Sequence, residues 1–353
     1  MNLISPGKKT AVVLFNLGGP DSLAAVQPFL FNLFNDPAII GLPKPFRSLL
    51  ASLISRRRAP VAQKIYDEIG GKSPIVENTE MQATALERSL SGHGQVKVFI
   101  SMRYWHPRTV DVVKAVLAFA PDNIILLPLY PQFSTTTTGS SFAEWDRITK
   151  KLGFSIPTQR ICCYPTHPEF VRAHTQLIRT YYQEASLFGR PRILFSAHGL
   201  PEKIIKKGDP YQAQVEASTQ AILQELGIAN VDYVNCYQSR VGPLKWIGPA
   251  TMDELMRAAA DQVPVVLVPI AFVSEHSETL VELDIEYAEL AHANGVDHYY
   301  RVPTLSAHAH FIAALADMCL KARDNISIAP GTNWQCAKGL TECGCRTKGV
   351  KHG

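Results

Sequence analysis

A chain of 353 residues that is 46% hydrophobic and 19% charged exceeds what one core usually holds, which predicts two folded lobes of about 150 residues each and excludes disorder for all but the ends. A net charge of +4, made of interspersed Lys, Arg, Asp and Glu, lacks the concentrated basic stripe that phosphate binding requires, so nucleic acid is excluded as a partner. No run reaches the roughly 18 apolar residues of a membrane span, and the start, MNLISPGKKT, has neither the apolar core nor the cleavage site of a secretory leader, so a cytoplasmic protein is expected.

Apolar runs at 10–16, 96–101, 123–129, 192–197, 232–237 and 263–270 have strand length and no polar alternation, the signature of strands buried on both faces of a parallel sheet. Between them, 77–92, 107–120, 166–187, 211–226, 250–261, 277–293 and 307–322 read as helices able to cover such a sheet. The alternation predicts an α/β fold: two Rossmann-like lobes, each a parallel sheet flanked by helices, with the active-site cleft between them outside the carboxyl ends of the strands. The expected divisions are 1–165 and 166–322 for the lobes and 323–353 for a polar tail containing cysteines. An internal echo suggests duplication: Leu126-Leu127-Pro128-Leu129 with Ser134 downstream is matched by Leu267-Val268-Pro269-Ile270 with Ser274 downstream. Chance is the competing explanation, since short apolar strands ending in Pro are common.

The first lobe contains an amphipathic stretch at about 38–60, with Leu42, Phe46, Leu49, Leu50 and Leu53 leading to Arg56-Arg57-Arg58. It reads either as a core-packing helix whose cations sit favourably at its C-terminal turn, or as an apolar lip that admits a flat ligand and touches an anionic bilayer. Further on, Ser196-Ala197-His198-Gly199-Leu200-Pro201 places a histidine just past a buried strand, where its ring is either satisfied by nearby backbone or available as a base. The third string, Ser274-Glu275-His276-Ser277-Glu278-Thr279-Leu280, continues through Glu282, Asp284, Glu286 and Glu289. Glu278, Glu282 and Glu286 are spaced to stack on one helical face, with Leu280, Leu283, Tyr287 and Leu290 as the core stripe. A solvated acidic face is the ordinary reading. Yet no Lys or Arg lies between His276 and His298, and an uncompensated carboxylate ladder suits a hard cation or a proton path.

These strings, together with Asn16-Leu17-Gly18-Gly19-Pro20, Ile69-Gly70-Gly71-Lys72-Ser73-Pro74-Ile75, Met102-Arg103-Tyr104-Trp105-His106-Pro107 and Tyr130-Pro131-Gln132-Phe133-Ser134, resemble the ferrochelatases over nearly all of residues 10–320. The resemblance implies insertion of ferrous iron into protoporphyrin IX, with iron and porphyrin as substrates. It implies His198 and Glu278 as catalytic and metal-linked residues, His198 taking a pyrrole proton and Glu278 acting as metal ligand or proton carrier, supported by His276. It further implies Arg58, Tyr66, Ser73 and Tyr130 as porphyrin-binding residues, the 38–60 stretch as a porphyrin lip with peripheral membrane contact, and a homodimer as one expected assembly. Phe272, Trp246 and Tyr104 would join Tyr130 as apolar walls. A coproporphyrin or cobalt chelatase of the same fold and a non-catalytic tetrapyrrole or metal carrier are the competing functions.

Cys336, Cys343 and Cys345 crowd the tail, and Cys162 and Cys163 are adjacent. In a reducing compartment this favours metal ligands over disulfides, and sequence chemistry leaves zinc, an iron–sulfur cluster or surface thiols open. By resemblance the tail trio holds a two-iron two-sulfur cluster. Animal members place the internal ligand where this chain has Thr135, so Cys162 or Cys163 is expected as the fourth, and only one of them if the segment is extended.

Overall fold

The computed structural model describes residues 8–240, 242–322, 328–329 and 334–345; residues 1–7, Val241 and the other positions of the expected 323–353 tail lie outside the described residues. The first sheet contains β1 (Lys9–Asn16), β2 (Gln95–Met102), β3 (Asn123–Pro128) and β4 (Thr158–Ile161). The second contains β5 (Arg192–His198), β6 (Asp232–Gln238), β7 (Val265–Pro269) and β8 (Tyr299–Arg301). A short strand β9 (Ile328–Ala329) pairs with β4, so the tail returns to the edge of the first sheet. The orders are β2-β1-β3-β4-β9 and β6-β5-β7-β8, and every pairing is parallel. The echoed segments therefore occupy β3 and β7, the same place in two sheets of the same order, as a duplicated half requires.

The helices are α1 (Val26–Phe34), α2 (Lys44–Asp67), α3 (Ile75–Leu90), α4 (Thr109–Phe119), α5 (Ser140–Lys151), α6 (Pro168–Ala185), α7 (Glu202–Lys206), α8 (Tyr211–Leu226), α9 (Thr251–Ala260), α10 (Ser277–Leu280), α11 (Tyr287–Ala293) and α12 (Ala309–Ala322). Strand alternation explains how they are shared out. Val12 and Leu14 of β1, with Ile193 and Phe195 of β5, face one common core also filled from α3, α6, α8 and α12. Ala11, Val13 and Phe15 face α4 and α5 on the outside of the first sheet, while Leu194 faces α9 and α11 outside the second. Both faces of each central strand are covered, which is why the apolar runs are unbroken. The strands β4 and β8 escape the sequence pattern because they are short and carry polar residues.

Two buried seams join the sheets around the cleft. In one, Gln82 of α3 donates to Val273 O (2.7 Å) and Ser306 O (3.1 Å), and accepts from Ser274 Oγ (3.1 Å). In the other, the segment after β3 meets α8: Gln132 Nε2 donates to Ser218 Oγ (2.9 Å), Phe133 N to Gln214 Oε1 (2.7 Å), and Thr135 N to Asp209 Oδ2 (2.7 Å). The helix α12 packs on α3 and α6 and reaches β3 and β4.

The stretch expected as a lip falls largely on the helix α2, whose inner face is small: Ala51, Ser55 and Ala59, four residues apart, are buried, which lets α1 approach closely. Phe46, Leu49 and Leu53 point outward, 64%, 73% and 64% exposed, so the core-packing alternative does not hold for them. Among the described residues no helix is long and apolar enough to cross a membrane.

Candidate active site

His198 is the last residue of β5, and the backbone there needs a glycine after it: a Cβ on Gly199 would lie 2.9 Å from Gln238 O, the same carbonyl that accepts the Gly199 N–H at 2.9 Å. That close approach brings the ends of β5 and β6 together, with His198 opposite Gln238 in register. From β7 the chain runs through Ser274 to His276, which caps the one-turn helix α10. His276 Nδ1 donates to Ser274 O (3.1 Å), which turns its Nε2 towards Glu278 Oε2 at 3.6 Å. His198 Nδ1 lies 3.1 Å from the same Oε2. One carboxylate oxygen is thus flanked by two imidazoles, and both His198 and Glu278 keep about a third of their side chains accessible.

The electrostatics follow from this geometry. Burial disfavours the imidazolium of His198, but the facing Glu278 carboxylate outweighs it and the pKa is raised above its ordinary value. Burial likewise opposes the Glu278 anion, and His198 and then His276 reverse it, holding the carboxyl well below its usual range. Each partner thus favours the charged form of the other, and the pair handles its proton as a unit, releasing it more readily when a cation reaches the carboxylate.

The carboxylates beyond Glu278 do not continue one α-helical ladder. After α10 the chain enters a π-helical turn, Glu282–Glu286, before α11 begins. Glu282 is held in place by donors: Gln238 Nε2 (3.1 Å), Ser239 N (2.8 Å), Ser239 Oγ (2.5 Å) and Tyr287 Oη (2.9 Å). Glu286 is exposed, its pKa raised by partial burial and by Glu282 and Glu289. The compensating cation absent from the sequence window is Arg301 of β8, which binds Glu275 (2.6 Å) and Asp284. Sequence reasoning missed Arg301 because it lies outside the window. It also missed Gln238, although its place at the carboxyl end of a strand was a usable signal.

The other expected site residues are distributed unevenly. Tyr66 is buried at the end of α2, and its hydroxyl accepts from Ser277 Oγ (3.4 Å) beside Glu278; burial pushes its pKa up to about 12. Ser73 is buried against the Gly18-Gly19-Pro20 turn, its N–H donating to Pro20 O (2.8 Å), and a Cβ on Gly19 would fall 2.4 Å from the Ser73 side chain. Tyr130 buries a hydroxyl that makes no hydrogen bond among the described residues, and burial raises its pKa. Arg58 is exposed on α2 with its guanidinium 5.8 Å from the Phe34 ring. Of the expected walls, Phe272 lies against His276 at 4.7 Å with the rings tilted by 57°, and Trp246 buries an indole N–H without a partner among the described residues. Tyr104 instead packs under the lip with Val26, Phe29, Leu30 and Tyr66, its hydroxyl on Asp36 (2.7 Å).

Five cysteines converge where the tail meets the body. A disulfide joins Cys162 and Cys345, the sulfurs of Cys162, Cys163 and Cys345 lie within 4.8 Å of one another, and Cys336 hydrogen-bonds to Cys343. Cys162 and Cys163 do not point apart as extended neighbours would: their sulfurs are 3.6 Å apart, because the pair lies just past β4 where strand alternation has ended. Burial raises the Cys163 pKa. The hydrogen bond with Cys336, followed by burial, raises that of Cys343. Cys236 and Cys319 are buried elsewhere in the core.

A family profile described as ferrochelatase matches residues 9–323, and curated relatives named ferrochelatase are similar over most of the chain. One from a Wolbachia of Drosophila simulans is 58% identical over 88% of this chain and 99% of its own length; one from Pelagibacter ubique is 52% identical over 96% and 98%. The chain belongs to the ferrochelatase family. Caulobacter vibrioides has another such relative, 51% identical over 96% of this chain and 98% of its own. Among solved structures, the sirohydrochlorin chelatase SirB of Bacillus subtilis in complex with cobalt has a TM-score of 0.51 at 12% identity, covering 90% of this chain and 94% of its own. That likeness concerns the fold alone, and it places the two-lobed arrangement of this ferrochelatase-family chain among chelatase structures.

Proposed function

We propose that the chain inserts ferrous iron into protoporphyrin IX to form protohaem, with His198 and Glu278 as the working pair. The observation that carries this reading is the shared oxygen: Glu278 Oε2 within 3.1 Å of His198 Nδ1 and 3.6 Å of His276 Nε2, at the carboxyl ends of β5 and β7. Insertion requires two pyrrole N–H protons to leave and the ferrous ion to lose water. Glu278 favours the proton on His198, so the ring accepts a pyrrole proton in its neutral form, once any proton it holds has passed on through Glu278. Arrival of the dication near Glu278 drives this by stabilising the carboxylate without its imidazolium. Glu282 and Glu286 extend the acidic path outward, and the exposed Glu286 is its mouth.

The macrocycle is taken into the cleft between the lobes at 1–165 and 166–322, with Tyr66, Ser73 and Tyr130 on the porphyrin side and Arg58 available for a propionate as a bidentate donor. The outward leucines of α2 serve as the lip and rest on an anionic bilayer beside Arg56-Arg57-Arg58. A homodimer is the assembly to look for in solution. A two-iron two-sulfur cluster fits the donor set, since four thiolates are its usual complement and five sulfurs meet here. Cys336, Cys343 and Cys345 would hold it with Cys162 or Cys163, and ligation through Cys162 or Cys345 requires their disulfide to be reduced. Such a group supplies a redox-active cross-link between tail and body.

The test is anaerobic incubation of the protein with ferrous iron and either protoporphyrin IX or coproporphyrin, followed by the Soret band. The reading expects a shift with protoporphyrin IX, faster than with coproporphyrin. A reversed preference would reassign the substrate, and bound porphyrin that never takes iron would leave a carrier. Iron and acid-labile sulfide in the anaerobically prepared protein decide the cluster.

A further inference from the structure

Gln214 has no part in the chemistry above, yet it is fully buried and its carboxamide is engaged at both ends. Its Oε1 accepts the Phe133 N–H at 2.7 Å, and its Nε2 donates to Cys336 Sγ at 3.2 Å and lies 3.5 Å from Cys163 Sγ. A residue needed only for packing would be apolar here, because burying a carboxamide costs free energy unless every donor and acceptor is matched.

The position of Gln214 on α8 gives the matching a purpose. One turn earlier, Tyr211 is buried with its phenol protonated by burial first and then by the nearby Tyr237 and Glu278; its N–H donates to Asp209 Oδ1 (3.0 Å). Asp209 in turn accepts from Ser134 Oγ (3.1 Å), Thr135 N (2.7 Å) and Thr135 Oγ1 (2.7 Å). One turn later, Ser218 accepts from Gln132 (2.9 Å). Residues three and four apart share a helical face, so this face carries Tyr211 at its start, packed in the common core with Ala197 and Leu200 from either side of His198, then the thiols in its middle and the segment after β3 along its length. The tail is seated on the same elements. Glu342 N donates to Gly208 O (3.1 Å), and Gly344 lies so close to Phe133 that a Cβ there would be 2.5 Å from the ring.

We propose that Gln214 is a positioning residue that ties the cysteine group to the His198–Glu278 pair, its carboxamide fixing α8 against both Phe133 and the sulfurs so that Tyr211 supports the end of β5 that carries His198. The proposal rests on the reading of His198 and Glu278 as catalytic. It makes the cysteine tail part of the machinery that aligns the cleft, whatever the thiols hold.

Two variants test it: Gln214→Met, similar in reach but without polar groups, and Gln214→Glu, which keeps an acceptor for Phe133 and places an anion against the sulfurs. Each is assayed for ferrous insertion with protoporphyrin IX and, after chelator treatment and reduction, for the rate at which a maleimide labels Cys163 and Cys336. Both variants are expected to lose about tenfold in kcat, since small displacements of a catalytic pair are costly, while KM for porphyrin stays within about twofold. Labelling of both cysteines is expected to accelerate. A kcat within about twofold of the unaltered protein with faster labelling would overturn the proposal, leaving Gln214 to serve the thiols alone. So would a parallel loss of kcat, KM and about 10 °C of thermal midpoint, which describes a structural residue. If Gln214→Met does not fold, Gln214→Glu decides by the same criteria. An inactive unaltered protein would instead overturn the catalytic reading, and this proposal with it.

Discussion

The two sheets share one strand order, and each is followed after its third strand by a buried serine and a π-helical turn, yet they carry opposite chemistry. After β3 come Ser134 and the turn Thr135–Gly139, all hydroxyls and glycine. After β7 come Ser274, the pair-forming Glu278 and the turn Glu282–Glu286, with three carboxylates. The difference teaches how a duplicated scaffold divides a two-substrate reaction: the neutral half suits a flat, largely apolar ring, and the anionic half suits a dication and its protons. Neither half needs a different fold, only different side chains at equivalent strand ends.

The largest expected effect breaks the anionic half. His198→Ala should leave the fold intact and reduce insertion by roughly two to four powers of ten, read by anaerobic turnover, and substantial remaining activity would remove His198 from its role. The same residue sets the pH profile. Because its pKa is raised and the neutral ring is the working base, the rate should fall as pH drops through a value above the ordinary 6.5; a profile flat down to pH 6 would contradict that.

Arg301→Met comes next, since it leaves Glu275 and Asp284 without their cation. Breaking a largely buried ion pair from one side costs on the order of 3 kcal/mol, measurable as denaturant midpoint, and a loss below about 1 kcal/mol would show that solvent replaces the arginine. A smaller, localised effect is expected on the lip. Leu49→Ser with Leu53→Ser should weaken porphyrin uptake and anionic-liposome binding together while leaving stability almost unchanged, because these side chains are already exposed and surface changes usually stay within about 0.5 kcal/mol. Binding of both partners at unaltered strength would remove the lip function. The smallest effect lies in the neutral half: Thr138 buries a hydroxyl with no partner among the described residues, so Thr138→Val should be neutral or stabilising by up to about 1 kcal/mol. A clear loss of porphyrin affinity would show that the hydroxyl meets the ring.

The sequence made the central strands legible because burial on both faces leaves few polar residues in them, and the facing of His198 and Glu278 legible because both lie just beyond such strands in long diagnostic strings. Strands β4 and β8 were illegible for the opposite reason, being short and partly polar. The acidic stripe misled in one respect: a π turn changes the residue spacing, so Glu282 turns towards Gln238 and Ser239. The partners that complete the site, Gln238 and Arg301, arrive from other strands, and no local spacing announces them. Likewise the convergence of Cys162 and Cys163 depends on where β4 ends, which hydrophobic patterning does not reveal.

The central claim is that Glu278 and His198 act as one proton-sharing unit on the metal side of the cleft. Glu278→Gln keeps the shape of the side chain and removes its charge, and the decisive measurement is single-turnover ferrous insertion into pre-bound protoporphyrin IX, followed anaerobically by the Soret band. The account predicts porphyrin affinity within about twofold of the unaltered protein and insertion reduced by at least roughly a hundredfold. Insertion at near-normal rate, or loss of porphyrin binding in parallel with loss of insertion, would contradict it.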